Sequence, residues 1–138
     1  MYKPKGIIVA MTTPMTDEER INEKELRNQV NRFIKAGVHG LFCLGTNGEF
    51  YALSHEEKLD VMEIVIDENK GRLPVYVGTG CITTKETIAL TRKAKEAGAD
   101  AVSVVTPYFI AMTQDEIYNH YREIAEAVDI PVILYNIP

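Results

Sequence analysis

Polar clusters recur in this chain at the ends of apolar runs: Thr12-Thr13-Pro14, Gly45-Thr46-Asn47-Gly48-Glu49-Phe50, Gly78-Thr79-Gly80, Thr106-Pro107-Tyr108-Phe109 and Tyr135-Asn136. The second is the most informative. Gly45 and Gly48 bracket a Thr-Asn pair just ahead of a helix-capping signal, so backbone N–H groups and two side chains there suit a small anion such as a carboxylate or phosphate. The same two glycines also suit a tight strand-to-helix turn with no ligand. The loop lacks a Gly-Lys-Ser/Thr ending and a G-x-G-x-x-G spacing, which disfavours nucleotide binding. Glu49 reads as a residue that caps or orients this loop.

The other chemically capable residues carry weaker patterns. Cys43 and Cys81 form no C-x-x-C pair and sit beside no histidine, so they read as core thiols, and no metal is expected. His39 falls at the far end of the strands, His55 in a first helical turn and His120 in mid-helix; none pairs with a nucleophile, and surface roles are expected for all three. Lys93 and Lys95, beside Arg92 and Glu96, read as a solvated helix face. The net charge is -5, from 20 acidic and 15 basic residues. The basic residues are scattered, which argues against a nucleic-acid partner. The early apolar run Gly6–Met11 is shorter than the roughly 20 residues of a membrane span and too near the start for a signal peptide. A cytoplasmic protein with no membrane association is expected.

The elements that must position the clusters are legible from periodicity. The runs at 7–10, 41–44, 75–77, 101–105 and 132–135 are continuously apolar, as in parallel strands buried on both faces. Four segments with helical periodicity lie between them. Leu26, Val30, Phe33 and Ile34 mark one apolar face in the first, and Ile117, Tyr121, Ile124, Ala125 and Val128 mark another in the fourth. Each helix start pairs a capping residue with Glu three positions on: Asn22/Glu25, Ser54/Glu57, Thr83/Glu86 and Thr113/Glu116. Gly37, Gly71 and Gly98 stand where three helices should stop. The segments 35–41 and 96–102 resemble each other, so the chain reads as a repeated βα unit of about 30 residues.

Five strands alternating with four helices give an α/β fold with a parallel sheet, either open and doubly wound or part of an eight-fold barrel. A full barrel takes about 250 residues. The 138-residue pattern breaks off with Pro138 just past the fifth strand, which suggests a truncated chain: one partial β/α-barrel domain over residues 1–138, without linker or low-complexity stretch. In either architecture the ligand belongs at the carboxyl ends of the strands, where the polar clusters fall.

Gly45-Thr46-Asn47-Gly48-Glu49, Val77-Gly78-Thr79-Gly80, Thr106-Pro107-Tyr108 and Tyr135-Asn136-Ile137-Pro138, in this order and spacing, resemble the dihydrodipicolinate synthase/N-acetylneuraminate lyase family. The resemblance runs through the whole chain and covers about the first half of a member. It implies a TIM (β/α)8 barrel and a class I aldolase or lyase that holds pyruvate, or a 2-keto acid yielding it, as a Schiff base on a lysine ending the sixth strand. That strand is not reached here, so the 138-residue chain is expected to be inactive alone. Matched motif to motif, Tyr135 would be the general acid/base and Thr46 a proton relay. Asn47, with the backbone at Gly45 and Gly48, would hold the carboxylate. The residue types suit these roles, because a phenol can shuttle protons and a threonine hydroxyl both donates and accepts. No cofactor is implied. A homo-oligomer is, with Tyr108 and Phe109 at a subunit contact, although Tyr108 also suits ordinary core.

The synthase branch reads Gly-Thr-Thr-Gly-Glu and Thr-Pro-Tyr-Tyr, its second tyrosine reaching a neighbouring subunit's site. Asn47 and Phe109 depart from both, and the sequence looks more like aldolases acting on 2-keto-3-deoxy sugar acids or hydroxy-oxo acids. The competing readings are a non-catalytic half barrel and a flavodoxin-like binding module. The latter would show sheet order 2-1-3-4-5, and its phosphoacceptor form needs acidic residues after the first strand, where Met11-Thr12-Thr13 supplies none.

Overall fold

The computed structural model describes residues 3–137; Pro138, the end of the last motif, lies outside them. Strands β1 (Ile8–Ala10), β2 (Gly40–Cys43), β3 (Val75–Gly78), β4 (Ala101–Val105) and β5 (Val132–Tyr135) alternate with helices α1 (Glu23–Lys35), α2 (His55–Asn69), α3 (Thr84–Ala97) and α4 (Gln114–Ala127). All neighbours pair in parallel, in the order β1-β2-β3-β4-β5. That order is the one of a barrel's first half and excludes the flavodoxin-like alternative.

Register decides which side chains face the site. Val9, Leu41, Val75, Val77, Val102 and Val104 share the face that packs against Leu26, Val30, Met62, Val65, Leu90 and Ile124 of the helices. Side chains alternate along a strand, so Ile8, Phe42, Tyr76, Ser103, Val105, Ile133 and Tyr135 lie on the opposite, inner face. The sheet curls: Pro4, ahead of β1, lines one cavity with Ala101 and Val132 from the far side. Burial of the large apolar face, about 25 cal/mol for each Å² removed from water, is what holds the layers together.

The caps set where each helix leaves the rim. Ser54 and Thr113 form complete capping boxes, their backbone N–H groups donating to Glu57 and Glu116 at 2.7 Å. The other two are half-boxes. Asn22 accepts from the Glu25 N–H, but the Glu25 carboxylate takes Asn28 instead, and at Thr83 the Glu86 carboxylate takes the hydroxyl. Gly37, Gly71 and Gly98 all have φ between 71° and 101°, as the helix-stop reading requires.

Three expectations need correction. The second strand ends at Cys43, because Leu44 turns into the left-handed region at φ 57° and begins the loop. His120 is not a surface residue: it is 2% exposed between α3 and α4, its Nδ1 lies 2.9 Å from Thr84 Oγ1, and its Nε2 has no partner among the described residues. Cys43 is buried, and desolvation pushes its thiol up to about 12, but Cys81 is only half-buried. No described helix is long and apolar enough to cross a membrane.

Candidate active site

The site grows from the end of β2. After Leu44 the backbone crosses the end of β3 so closely that a Cβ on Gly78 would lie 1.9 Å from the Leu44 carbonyl oxygen. Only glycine permits this approach. Gly45 lies flat against the Phe42 ring, and Thr46–Gly48 then form one 3-10 turn. The turn is closed by the Gly48 N–H on Gly45 O and the Glu49 N–H on Thr46 O, both at 3.0 Å, with Glu49 at φ 53°. Thr13 ties the turn to the end of β1, its hydroxyl donating to Gly48 O at 2.7 Å. The first N–H groups of such a turn have no acceptor within it, which leaves them available to an anion.

The structure brings Thr46 and Tyr135 together. Both line a recess of about 10 Å³ with Phe42, Leu44, Gly45, Phe50, Gly78, Gly80, Ser103 and Val105. Its walls are inner-face residues and loop backbone at the carboxyl ends of β2 to β5. A second, open recess of about 340 Å³ adjoins it, sharing Thr46, Phe50 and Val105 and adding Tyr51, Thr106, Pro107, Tyr108 and Ile137. Among the described residues no charged side chain lines either one.

The remaining sequence-derived candidates separate. Asn47 is exposed at the middle of the turn, outside both recesses, and Gly48 is buried beneath it. Tyr108 is half-buried and meets Phe50 edge-on, ring centroids 5.9 Å apart. Burial raises its hydroxyl above the ordinary range, so it stays protonated. Phe109 stands in the left-handed region at φ 80° with 92% of its surface exposed. Thr79 does not join the site: its hydroxyl pairs with Thr91 of α3 at 2.9 Å in the core. Thr12 likewise faces α1, bonded by Gln29 at 2.8 Å.

Ser103 is the recess residue that sequence reasoning missed. The signal was available, since it is the one hydroxyl inside an otherwise apolar strand, Ala101–Val105. Among the described residues no group of three or more His, Cys, Asp or Glu is placed to hold a metal ion. A cleft beside the site, lined by His55, Lys58, Cys81 and Glu86, carries the half-buried thiol, which desolvation raises above its ordinary value.

A family model described as the dihydrodipicolinate synthetase family matches residues 3–138. The 4-hydroxy-tetrahydrodipicolinate synthase of Methanopyrus kandleri is 45% identical over 99% of this chain and 46% of its own length. Among solved structures, a chloride-inhibited dihydrodipicolinate synthase from Acinetobacter baumannii complexed with pyruvate is 44% identical, with TM-score 0.94 over 96% of this chain and 46% of that one. YagE of E. coli K12, a family member also complexed with pyruvate, is 37% identical, with TM-score 0.94 over 96% of this chain and 45% of its own. The chain thus spans about half the length of the curated relatives it matches.

Proposed function

The chain belongs to the dihydrodipicolinate synthetase family, and from this premise we propose that it is the N-terminal half of a Schiff-base aldolase or lyase that joins pyruvate to an aldehyde or releases it from a 2-keto acid. The observation that carries the reading is the meeting of Thr46 and Tyr135, from distant parts of the chain, in one small recess at the carboxyl ends of the strands. Pyruvate complexes of two similar structures support the choice of donor.

The chemistry divides among few groups. A lysine from a sixth strand, beyond these residues, attacks the pyruvate carbonyl; the carbinolamine loses water to give the imine. The Tyr135 phenol gives and takes the protons of these steps, and the Thr46 hydroxyl, able to donate and accept, passes them on. Asn47 and the open N–H groups of the 46–48 turn bind the carboxylate from the rim. No cofactor takes part. Phe109 has no hydroxyl to offer a relay, and with Asn47 it departs from the synthase pattern, so the reaction is of the kind run by aldolases acting on 2-keto-3-deoxy sugar acids or hydroxy-oxo acids, whose partner to pyruvate is an aldehyde. The protein is a homo-oligomer whose subunit contact includes Phe109 and Tyr108, consistent with a large apolar ring held in solvent.

The test uses the chain extended through its barrel. Borohydride reduction with pyruvate, followed by peptide mass spectrometry, is expected to mark a lysine about 25 to 30 residues beyond Tyr135, as the repeat period requires. The 138-residue chain should take no label, because none of the described strands ends in lysine. An adduct within residues 3–137, or none on the extended protein, overturns the reading.

A further inference from the structure

Ser103 sits on the inner face of β4, in register with Gly78 of β3 and Ile133 of β5. It is 8% exposed, and the side chains around it in the recess are apolar or missing: Phe42, Val105 and the bare Gly78. A strand buried on both faces normally runs as apolar residues, and the rest of β4 is alanine and valine. Among the described residues the Ser103 hydroxyl has no hydrogen-bond partner, while its carbonyl accepts the Thr79 N–H at 3.1 Å. The hydroxyl is not among the fully buried, unpartnered side-chain atoms, so it keeps access to the recess, where a water can satisfy it and where valine would offer nothing. The recess it lines measures about 10 Å³, the room of a single water, and its other hydroxyls are those of Thr46 and Tyr135.

We propose that Ser103 is a positioning residue: it seats one water in the recess, and that water holds the Thr46 and Tyr135 hydroxyls in the orientation their proton transfers need. The inference rests on the aldolase reading above. It adds a third hydroxyl, from β4, that acts through the other two. A bridging water serves nearly as well as a direct hydrogen bond, and the recess that the three residues share has a volume of about 10 Å³, the scale of one water.

The test compares two variants of the same shape in the complete protein. Ser103→Thr keeps a hydroxyl, and Ser103→Val replaces it with a methyl group. The assay needs pyruvate alone: on the enzyme the imine gives up a C3 proton to form the enamine, and in D2O a deuteron returns, so proton NMR follows loss of the methyl signal. Ser103→Val is expected to slow the saturated exchange rate by about 3- to 10-fold, the worth of one neutral hydrogen bond. The pyruvate KM should hold within about twofold. Ser103→Thr should keep the rate within about twofold of wild type, and a high-resolution crystal structure should show a water on Ser103 Oγ. Equal rates in the two variants, with a pyruvate adduct trapped on wild type, overturn the role of Ser103 alone. A wild-type protein that traps no pyruvate overturns the aldolase reading, and the relay role falls with it. A crystal structure without a water on Ser103 Oγ refutes the seat whichever way trapping turns out.

Discussion

Replacing Gly78 by alanine tests whether the loop that carries Thr46 is positioned by backbone contact. A Cβ built there lies 1.9 Å from the Leu44 carbonyl oxygen, 2.6 Å from its carbon and 3.3 Å from the Gly45 nitrogen, where ordinary contact begins at 3.4 Å. The loop would have to withdraw by about 1.5 Å, and a close-packed interior resists movements of that size. Nor can Leu44 yield easily: it is fully buried and already left-handed at φ 57°, a conformation that costs a non-glycine residue roughly 1–3 kcal/mol. We expect Gly78→Ala to destabilise the protein by about 3 kcal/mol, the upper end of overpacking costs. Gly48→Ala is the control, because its Cβ would meet Met11 O at 3.2 Å and Thr13 Oγ1 at 3.3 Å, a misfit of tenths of an ångström. It should cost less than about 1 kcal/mol. Urea unfolding followed by circular dichroism measures both. If Gly78→Ala unfolds within about 1 kcal/mol of wild type, or Gly48→Ala proves the worse of the two, backbone contact does not set the loop.

The remaining expectations concern the site and the His120 contact. In the complete protein Tyr135→Phe should keep the fold but lower turnover by about 10²- to 10⁴-fold, and Thr46→Val should act on the same path, the double variant falling well short of the product of the single losses. Full multiplicativity in steady-state kinetics would separate the two residues. Asn47→Ala should chiefly weaken pyruvate binding, by about 1–3 kcal/mol for a lost hydrogen bond to a carboxylate, and an unchanged Kd by calorimetry would remove Asn47 from the site. His120 is held below the ordinary histidine value by burial, opposed by Glu123 of its own helix, and its Nδ1 meets the uncharged Thr84 of α3. The unfolded chain therefore binds the proton first, and stability declines as pH falls below about 6.5, by at most about 1.4 kcal/mol per pH unit, until the folded value is passed. Urea midpoints between pH 7 and 5 should fall more steeply in wild type than in His120→Gln; parallel slopes would refute this.

The fold was legible because its signals are local and repeat. Continuous apolar runs gave the five strands, and Asn22, Ser54, Thr83 and Thr113 each cap the helix they foretell. The misplaced end of β2 shows what such signals omit. Leu44 is apolar and follows three apolar residues, but its φ is turned by the crossing over Gly78, and hydrophobicity carries no information about φ. His120, by contrast, was readable. It stands three residues after Ile117 and four before Ile124, on the stripe that also holds Tyr121 and Val128, so helical spacing alone places it inward.

For the site, residue type indicated the rim and strand parity decided what reaches it. Thr79 follows the inward Gly78 and so turns outward to Thr91, whereas Ser103, in register with Gly78, turns inward. What neither type nor parity reveals is why the recess is so small. Three of its lining residues are glycines, and a Cβ on any of them would lie within 2.9 Å of a neighbour: Phe42 at Gly45, the Leu44 carbonyl at Gly78, and Val105 at Gly80. Much of the wall is therefore main chain, fixed by the strand ladder, by the Thr13 hydroxyl on Gly48 O and by the Thr79 N–H on Ser103 O, with few rotamers free to move. A wall of that kind holds hydroxyls in place before any substrate arrives, which is the condition under which a positioned phenol contributes to proton transfer.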